Sequence, residues 1–220
     1  SYAAKVTQQQ GNFLTFKNGE FLFGQDAREL PLGTRLAANV GGLMIGWRRW
    51  HDAKVTDDLL EPLADQKPIP MRNSLGDNDE TLWEVRPDGS RMDPWMFTNS
   101  LTLVDNEGEV YIYSTGSKGG LNAIGQLCKI YGQEYRQRPG QVPIIELAND
   151  FYIHNTYGKT YVPVFEVVGW TDEGAIDVSN ATEEPAELPP PPPPVPALAR
   201  GQRAANPTPR ATVAAPASRE

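Results

Sequence analysis

One segment of the chain, Lys118 to Tyr131, constrains the fold more than any other because the spacing of its apolar side chains changes. These side chains lie three or four residues apart, which places them on one face of an α-helix: Leu121, Ile124, Leu127, Cys128 and Tyr131. Gly132 predicts the end of the helix. Elsewhere in residues 13–170 apolar side chains tend to alternate, as in β-strands. The sequence therefore predicts a mainly β domain with one short α-helix.

The alternating segments predict strands joined by recognisable turns. Asn18-Gly19 is a strong two-residue hairpin signal within Phe13–Phe23, and residues 106–108 predict a turn within Ser100–Thr115. Four further strands are predicted, two flanking Gly41-Gly42 and two closing the domain: 36–40, 43–50, 142–154 and 160–170. Pro163 cannot donate a ladder hydrogen bond, so we expect it at a sheet edge or a bulge.

The order of these elements favours an OB-like antiparallel barrel over residues 13–170. A single helix between the third and fourth principal strands is the order of that fold, which binds oligonucleotides on one face. Other antiparallel barrels and α+β sandwiches fit the same order. Residues 52–92 lack periodicity and are predicted to form a long acidic loop within the barrel.

Composition separates both ends of the chain from this domain. Residues 1–12 are predicted to form a flexible N-terminus. Residues 171–220 hold an acidic stretch, six consecutive prolines at Pro189–Pro194 and an alanine- and proline-rich end. Such a segment has few large apolar side chains to offset its ordering entropy, so we expect a disordered C-terminal tail.

The net charge of −8 argues against a strongly basic surface, but its distribution leaves room for a local basic patch. Residues 52–80 hold eight acidic and three basic side chains, and the tail holds seven acidic and four basic ones. The remaining residues carry 13 of each sign. A nucleic-acid partner is therefore compatible with the sequence.

Several classes of protein are disfavoured by the sequence. A single cysteine, Cys128, excludes an internal disulfide, and with only His51 and His154 a Cys/His zinc site cannot be assembled. No apolar run resembles a signal peptide or reaches the length of a membrane span. We therefore expect a protein of the bacterial cytoplasm that does not associate with a membrane.

The glycine-rich loop before the helix, Gly116–Gly120, resembles a phosphate-binding loop because glycines and a lysine lie between a strand and a helix. A Walker A loop requires G-x-x-x-x-G-K-[ST], whereas here Lys118 precedes two glycines and no hydroxyl residue follows. Two interpretations stay open. Ser117 caps the helix while the glycines permit a tight joint, or the free amides and Lys118 contact a phosphate.

Aromatic and basic side chains on the predicted strands suggest a surface for single-stranded nucleic acid. Such proteins stack bases on aromatic rings along a positively charged groove. In "WRRW" not all four side chains can be buried, so one Trp–Arg pair should face solvent. The alternative is that the aromatic residues fill the core. The candidate nucleic-acid-binding residues are Trp47, Arg48, Arg49, Trp50, Tyr111, Tyr113, Ser117, Lys118, Lys129 and Lys159.

The acidic side chains offer an enzymatic alternative. Asp57-Asp58, Asp77–Glu80 and Asp150 include enough carboxylates to hold Mg²⁺ for a nuclease. Clustered acids in an irregular loop are more often a solvated segment, and no catalytic triad is visible. We therefore predict a protein that is not an enzyme and needs no cofactor or metal.

A set of short motifs gives the chain a family resemblance. They are "PLGT" (31–34), "IGW" (45–47), "DPW" (93–95), "GSKGG…IG.LC..YG" (116–132) and "YG…VPVFEVVGW" (157–170). Together they resemble a family of tailed-phage and prophage proteins of unestablished biochemistry, often encoded among replication and recombination genes. The resemblance covers residues 13–170. It implies a role in DNA metabolism and assigns no catalytic or binding residue.

These observations predict a non-enzymatic, phage-type single-stranded DNA-binding protein that acts in replication or recombination. The tail would be a spacer that recruits replication or recombination proteins. The alternative is a structural protein, a virion or replisome scaffold that docks partners through its barrel and tail. A homo-oligomer is compatible with either prediction.

Overall fold

The computed structural model describes residues 11–86, 89–155 and 158–174. The predictions for residues 1–10 and for the tail from residue 175 lie outside these ranges. The elements are β1 (Asn12–Lys17), β2 (Glu20–Phe23), β3 (Arg28–Leu30), β4 (Arg35–His51), β5 (Lys54–Pro62), β6 (Glu84–Val85), β7 (Arg91–Met92), β8 (Trp95–Val104), β9 (Val110–Thr115), α1 (Lys118–Glu134), β10 (Gln141–His154) and β11 (Gly158–Asp172). Single 3₁₀ turns lie at Leu63–Asp65, Arg72–Ser74 and Glu80–Leu82.

The architecture is mainly β, as predicted, with one helix among the described residues. The main sheet is strongly curled into a half-barrel, and its strand order is β11-β10-β4-β8-β9-β1-β2-β3, with β5 paired to β4. Consecutive strands pair antiparallel except β1 and β9, which are parallel. β11 lies at the end of this order, so Pro163 is on an edge strand, as predicted.

The long strand β4 pairs with three neighbouring strands. Its start pairs with β10, its second half with β5, and both halves with β8. The prediction of two separate strands was wrong, because the register shift between Asn39 and Met44 is a bulge that the strand passes through. At this bulge the amide of Gly42 donates a 2.8 Å hydrogen bond to Asn39 Oδ1.

The two predicted turns are confirmed. Asn18 and Gly19 both have positive φ, 54° and 94°, as a two-residue turn between β1 and β2 requires. Residues 105–109 connect β8 to β9, where the Asp105 carboxylate accepts hydrogen bonds from the amides of Glu107 and Glu109. The sequence thus located both turns correctly.

The core lies inside the curled sheet and under α1. Leu36 and Leu43 of β4, Leu103 of β8 and Ile145 of β10 are almost fully buried there. Tyr113 is also 1% exposed, and its ring packs against Phe165 with centroids 5.2 Å apart. Burial raises the pKa of Tyr113 to about 12.

The buried Tyr113 hydroxyl predicts a loss of stability at alkaline pH. In the unfolded chain the phenol ionises near its ordinary pKa of 10, whereas in the folded protein it keeps its proton up to about pH 12. The protonated Tyr113 therefore contributes fully to the free energy of unfolding below pH 10. This contribution, up to about 3 kcal/mol, is lost as the pH rises through the folded pKa. Urea denaturation at a series of alkaline pH values measures this loss. The Tyr113→Phe variant should show a flatter pH dependence, and an identical dependence in the two proteins would contradict the assignment.

The helix approaches the sheet closely through its first two glycines. A Cβ at Gly120 would lie 2.3 Å from Thr115 Oγ1, and one at Gly119 would lie 2.8 Å from Val162 Cγ1. The helix continues past the predicted end at Gly132 to Glu134. Tyr131 and Tyr135 stack one turn apart, with ring centroids 5.9 Å apart, and this i, i+4 contact supports the extra turn.

Candidate nucleic-acid interface

The two arginines of the "WRRW" segment are paired within the fold. β5 lies antiparallel to β4 and places Asp58 and Asp57 opposite Arg48 and Arg49. The Arg48 guanidinium is 3.1 Å from Asp58, and Arg49 Nε is 2.8 Å from Asp77 Oδ2. The prediction that residues 52–92 form an irregular loop was wrong for Lys54–Pro62, which pairs with β4 as a strand. The cross-strand ion pairs Arg48–Asp58 and Arg49–Asp57 support this pairing.

The acidic side chains of this region are positioned as partners of basic and indole groups. Asp77 accepts hydrogen bonds from Arg49 and from Trp95 Nε1, and the Arg49 bond is the main cause of the lowered pKa of Asp77. Arg72 binds the carboxylate of Asp93 with two nitrogens, at 2.7 and 2.6 Å. These pairs hold the segment against the barrel.

The two tryptophans of the "WRRW" segment form hydrogen bonds with residues between β5 and β8. Trp47 Nε1 donates a 2.9 Å hydrogen bond to the carbonyl of Pro70, and its ring packs edge-on against Phe97. The backbone amide of Trp50 donates to the carbonyl of Pro94. Both side chains are half-buried, so each presents only part of its ring to solvent.

Two aromatic candidates are core residues. Tyr111 is 5% and Tyr113 is 1% exposed, so neither ring offers a face on which a base could stack. Their alternation was read correctly, but their common face points into the barrel. The expectation that these two rings contact a ligand is corrected to a packing role.

The glycine-rich loop forms a capped, closely packed joint. Ser117 Oγ accepts a 3.1 Å hydrogen bond from the amide of Gly120 and lies 3.0 Å from Thr115 Oγ1. The capping interpretation is therefore confirmed, and the glycines allow the close approach of α1. Lys118 is exposed at the start of the helix and Lys129 is exposed further along it.

The tip of the β10–β11 hairpin carries exposed aromatic and apolar side chains. Phe151 is 49%, Tyr152 47% and Ile153 69% exposed. Phe151 pairs with Tyr161 and Ile153 with Lys159 across the hairpin, so these four share one face. Tyr152 lies on the opposite face, and its ring packs edge-on against His154.

Lys159 is the candidate cation that the structure brings to this tip. Its ammonium lies 4.1 Å from the ring centroid of Phe151 and 4.6 Å from that of Tyr161. A phosphate bound to this ammonium would bring a nucleotide base within reach of both rings. Phe151 was not among the site residues predicted from the sequence. The signal was available, since Phe151 and Tyr152 point to opposite faces and both cannot be in the core.

One group of described residues has the composition of a metal site. His51 and Asp52 at the β4–β5 turn lie close to Glu84 of β6, and His51 Nδ1 is 3.1 Å from Glu84 Oε1. All three side chains are exposed. Such surface groups are common without a metal, and we assign them no chemistry.

Cys128 is partly buried on α1 against the core, and burial raises the pKa of its thiol. This position favours a packing role over a nucleophilic one.

Comparison of the chain with protein families, curated proteins and solved structures finds no significant match. Within the described part of the chain, α1 lacks the length and apolar character that a bilayer-spanning helix needs.

Proposed function

We propose that this domain is an OB-like barrel that binds single-stranded DNA and catalyses no reaction. If β4, β8, β9, β10 and β11 are numbered one to five, their spatial path is 5-4-1-2-3. The helix lies between the third and fourth of them, as in the OB-fold. The N-terminal hairpin then extends the sheet beyond the third strand.

The observation that carries the proposal is the exposed hairpin between β10 and β11. In an OB-fold the loop between strands four and five is one of the elements that contact oligonucleotides. Here that hairpin presents Phe151 and Tyr152 with Lys159 above one ring. Stacking on exposed rings beside a cation is how single strands are bound without sequence preference. The motif resemblance to phage proteins fits a role in DNA replication or recombination.

A titration of labelled oligo-dT of about 16 nucleotides, followed by fluorescence anisotropy, tests the proposal. We expect binding at micromolar protein and low salt. Contacts from Lys118, Lys129 and Lys159 would give a slope of about −2 in log K against log salt, since each neutralised phosphate contributes about −0.7. A matched duplex should bind more weakly because its bases are already stacked. No change in anisotropy at tens of micromolar protein and low salt would falsify the proposal.

A second candidate function is a structural protein that docks a protein partner through the same hairpin. The observation that favours it is Ile153, whose exposed aliphatic side chain offers little to a nucleotide. Pull-downs with the full chain and with a chain shortened to residues 1–170 distinguish the two functions. A partner retained by both proteins, together with no oligonucleotide binding, would favour docking through the barrel.

A further inference from the structure

A column of stacked planar groups lies at the end of α1. The ring of Tyr131 stacks between Tyr135 and Trp170, with centroid distances of 5.9 and 6.2 Å and interplanar angles of 27° and 25°. The guanidinium of Arg138 lies 5.2 Å from the ring centroid of Trp170, and that of Arg136 lies 5.9 Å from that of Tyr135. The column therefore has an arginine beside each terminal ring.

The outer part of this column is open to solvent. Tyr135 is 43% exposed, and Arg136 and Arg138 are exposed as well. The inner ring, Tyr131, is packed against the core, which fixes the column on the barrel. A rigid aromatic surface with an exposed ring and adjacent guanidinium groups is suited to stacking a nucleotide base and contacting its phosphate.

The charges around the column are mixed: Arg136 and Arg138 are basic, and Glu134, Asp172 and Glu173 are acidic. The nearby acids have partners: Glu134 is 3.5 Å from Arg138, and Asp172 accepts a hydrogen bond from Gln141. Glu134 is the only acidic residue of α1, which carries Lys118 and Lys129. Arg138 is therefore matched by a carboxylate, as the arginines of the "WRRW" segment are. Arg136 instead donates a hydrogen bond to the hydroxyl of Tyr135.

A neutral groove runs between α1 and β11. Its volume is about 210 Å³, and its polar lining comes from Asn122 and Gln126, opposite Val162 and Val164 of β11. Gly119, beside Lys118, also lines it. Lys159 is near the start of β11 and Trp170 is near its end, about 35 Å away at the usual rise of a strand. That length corresponds to about ten stacked nucleotides, or fewer in an extended strand.

We propose that the Tyr131–Tyr135–Trp170 column is a second contact for the same nucleic-acid strand. The strand then lies along α1 and β11, from the hairpin tip to the column, with Lys118 and Lys129 on its course. This inference rests on the proposed function and adds to it a course along the domain and a minimum length of the binding site. Contact at two points converts the second binding event into an intramolecular one, so long strands bind more tightly than short ones.

Binding of two oligonucleotides to the Tyr135→Ala/Arg138→Gln variant tests the proposal. For oligo-dT of about 16 nucleotides we expect the affinity to fall between about 5-fold and about 100-fold, the range for losing one base stack and a phosphate contact. For about four nucleotides the fall should be at most about twofold, because the hairpin still binds a short strand. The Phe13→Ala variant, which removes an exposed ring of β1 outside the proposed path, should bind both lengths like the unaltered protein.

The outcomes separate this proposal from the previous one. If the unaltered protein binds neither length, single-strand binding itself is wrong. If it binds both lengths but the variant loses equally little on each, the hairpin is a site and the column is not. Thermal unfolding of the variant, in which exposed groups are changed, should stay within a few degrees of the unaltered protein. If the melting temperature falls further, the Tyr135→Phe/Arg138→Lys variant decides whether the loss of binding comes from the column or from unfolding. This variant keeps the ring and the charge, and it should restore binding of the long strand.

Discussion

Replacing Phe151 and Tyr152 together with alanine is expected to weaken binding of long oligo-dT at least about 30-fold. Each base that stacks on an aromatic ring contributes about 1–3 kcal/mol to the free energy of binding. The two rings lie on opposite faces of the hairpin, so the variant removes stacking from both faces. Anisotropy titration at one fixed salt concentration measures the loss.

The matched control for this variant is Phe13→Ala. Phe13 is 60% exposed on β1 and lies outside the hairpin, so its loss removes a similar ring from the surface without touching the site. We expect this control to bind like the unaltered protein. Equal affinities of all three proteins would place the ligand elsewhere. Equal losses in both variants would indicate a nonspecific effect.

Replacing Gly46 with alanine is expected to destabilise the domain by about 3 kcal/mol or more. Gly46 has a φ of 152°, and a Cβ built on it would lie 2.1 Å from the carbonyl oxygen of Leu59. The obstructing atom belongs to the backbone of β5, so a rotamer change cannot relieve the clash. The chain must instead separate β5 from β4, which also strains the Arg48–Asp58 pair.

Urea or thermal denaturation measures the effect of this substitution, and Gly125→Ala is its matched control. Gly125 lies within α1, and nothing would stand within 4 Å of a Cβ there. Alanine at that position should stabilise the domain by about 0.5–1 kcal/mol, because glycine is a poor helix former. For Gly46→Ala we expect a melting temperature lower by about 6–12 °C. Similar small shifts in both variants would contradict the close contact between β4 and β5.

The sequence predicted most elements of the fold because their signals are local. The Asn18-Gly19 turn and the helix start at Ser117 each depend on neighbouring residues, and both are confirmed. β5 was missed because its polar residues do not alternate with apolar ones. What supports it is pairing with Arg48 and Arg49 of β4, a relation between distant residues that no local pattern reveals. The helix end was misplaced because Gly132 was taken as a stop, whereas the i, i+4 stacking of Tyr135 on Tyr131 supports two further residues.

The candidate site was harder to predict, because alternation shows which side chains share a face and not which face is inside. Tyr111 and Tyr113 do share a face, but the curl of the sheet turns it into the core. One Trp–Arg pair of the "WRRW" segment was expected to face solvent, but the side chains of Arg48 and Arg49 are only 12% and 32% exposed. Their charges are matched by aspartates that follow in sequence, and composition alone does not reveal such pairing. Lys159 lies where the aromatic rings are exposed only because the hairpin brings residue 151 opposite residue 161.

The way the hairpin leaves the sheet has a consequence for hydrogen exchange. β10 pairs with β4 only at residues 144–146, and Asn149 is held by a hydrogen bond to the carbonyl of Gly19. Beyond that point, among the described residues, the strands of the hairpin form ladder hydrogen bonds only with each other. A two-stranded ribbon is barely stable by itself, so the amides of residues 151–154 and 158–160 should exchange by local opening. The amides of α1, which the close glycine contacts hold to the sheet, should exchange only when the whole domain unfolds. A ligand bound at the tip would then slow the exchange of these hairpin amides and leave that of the α1 amides unchanged.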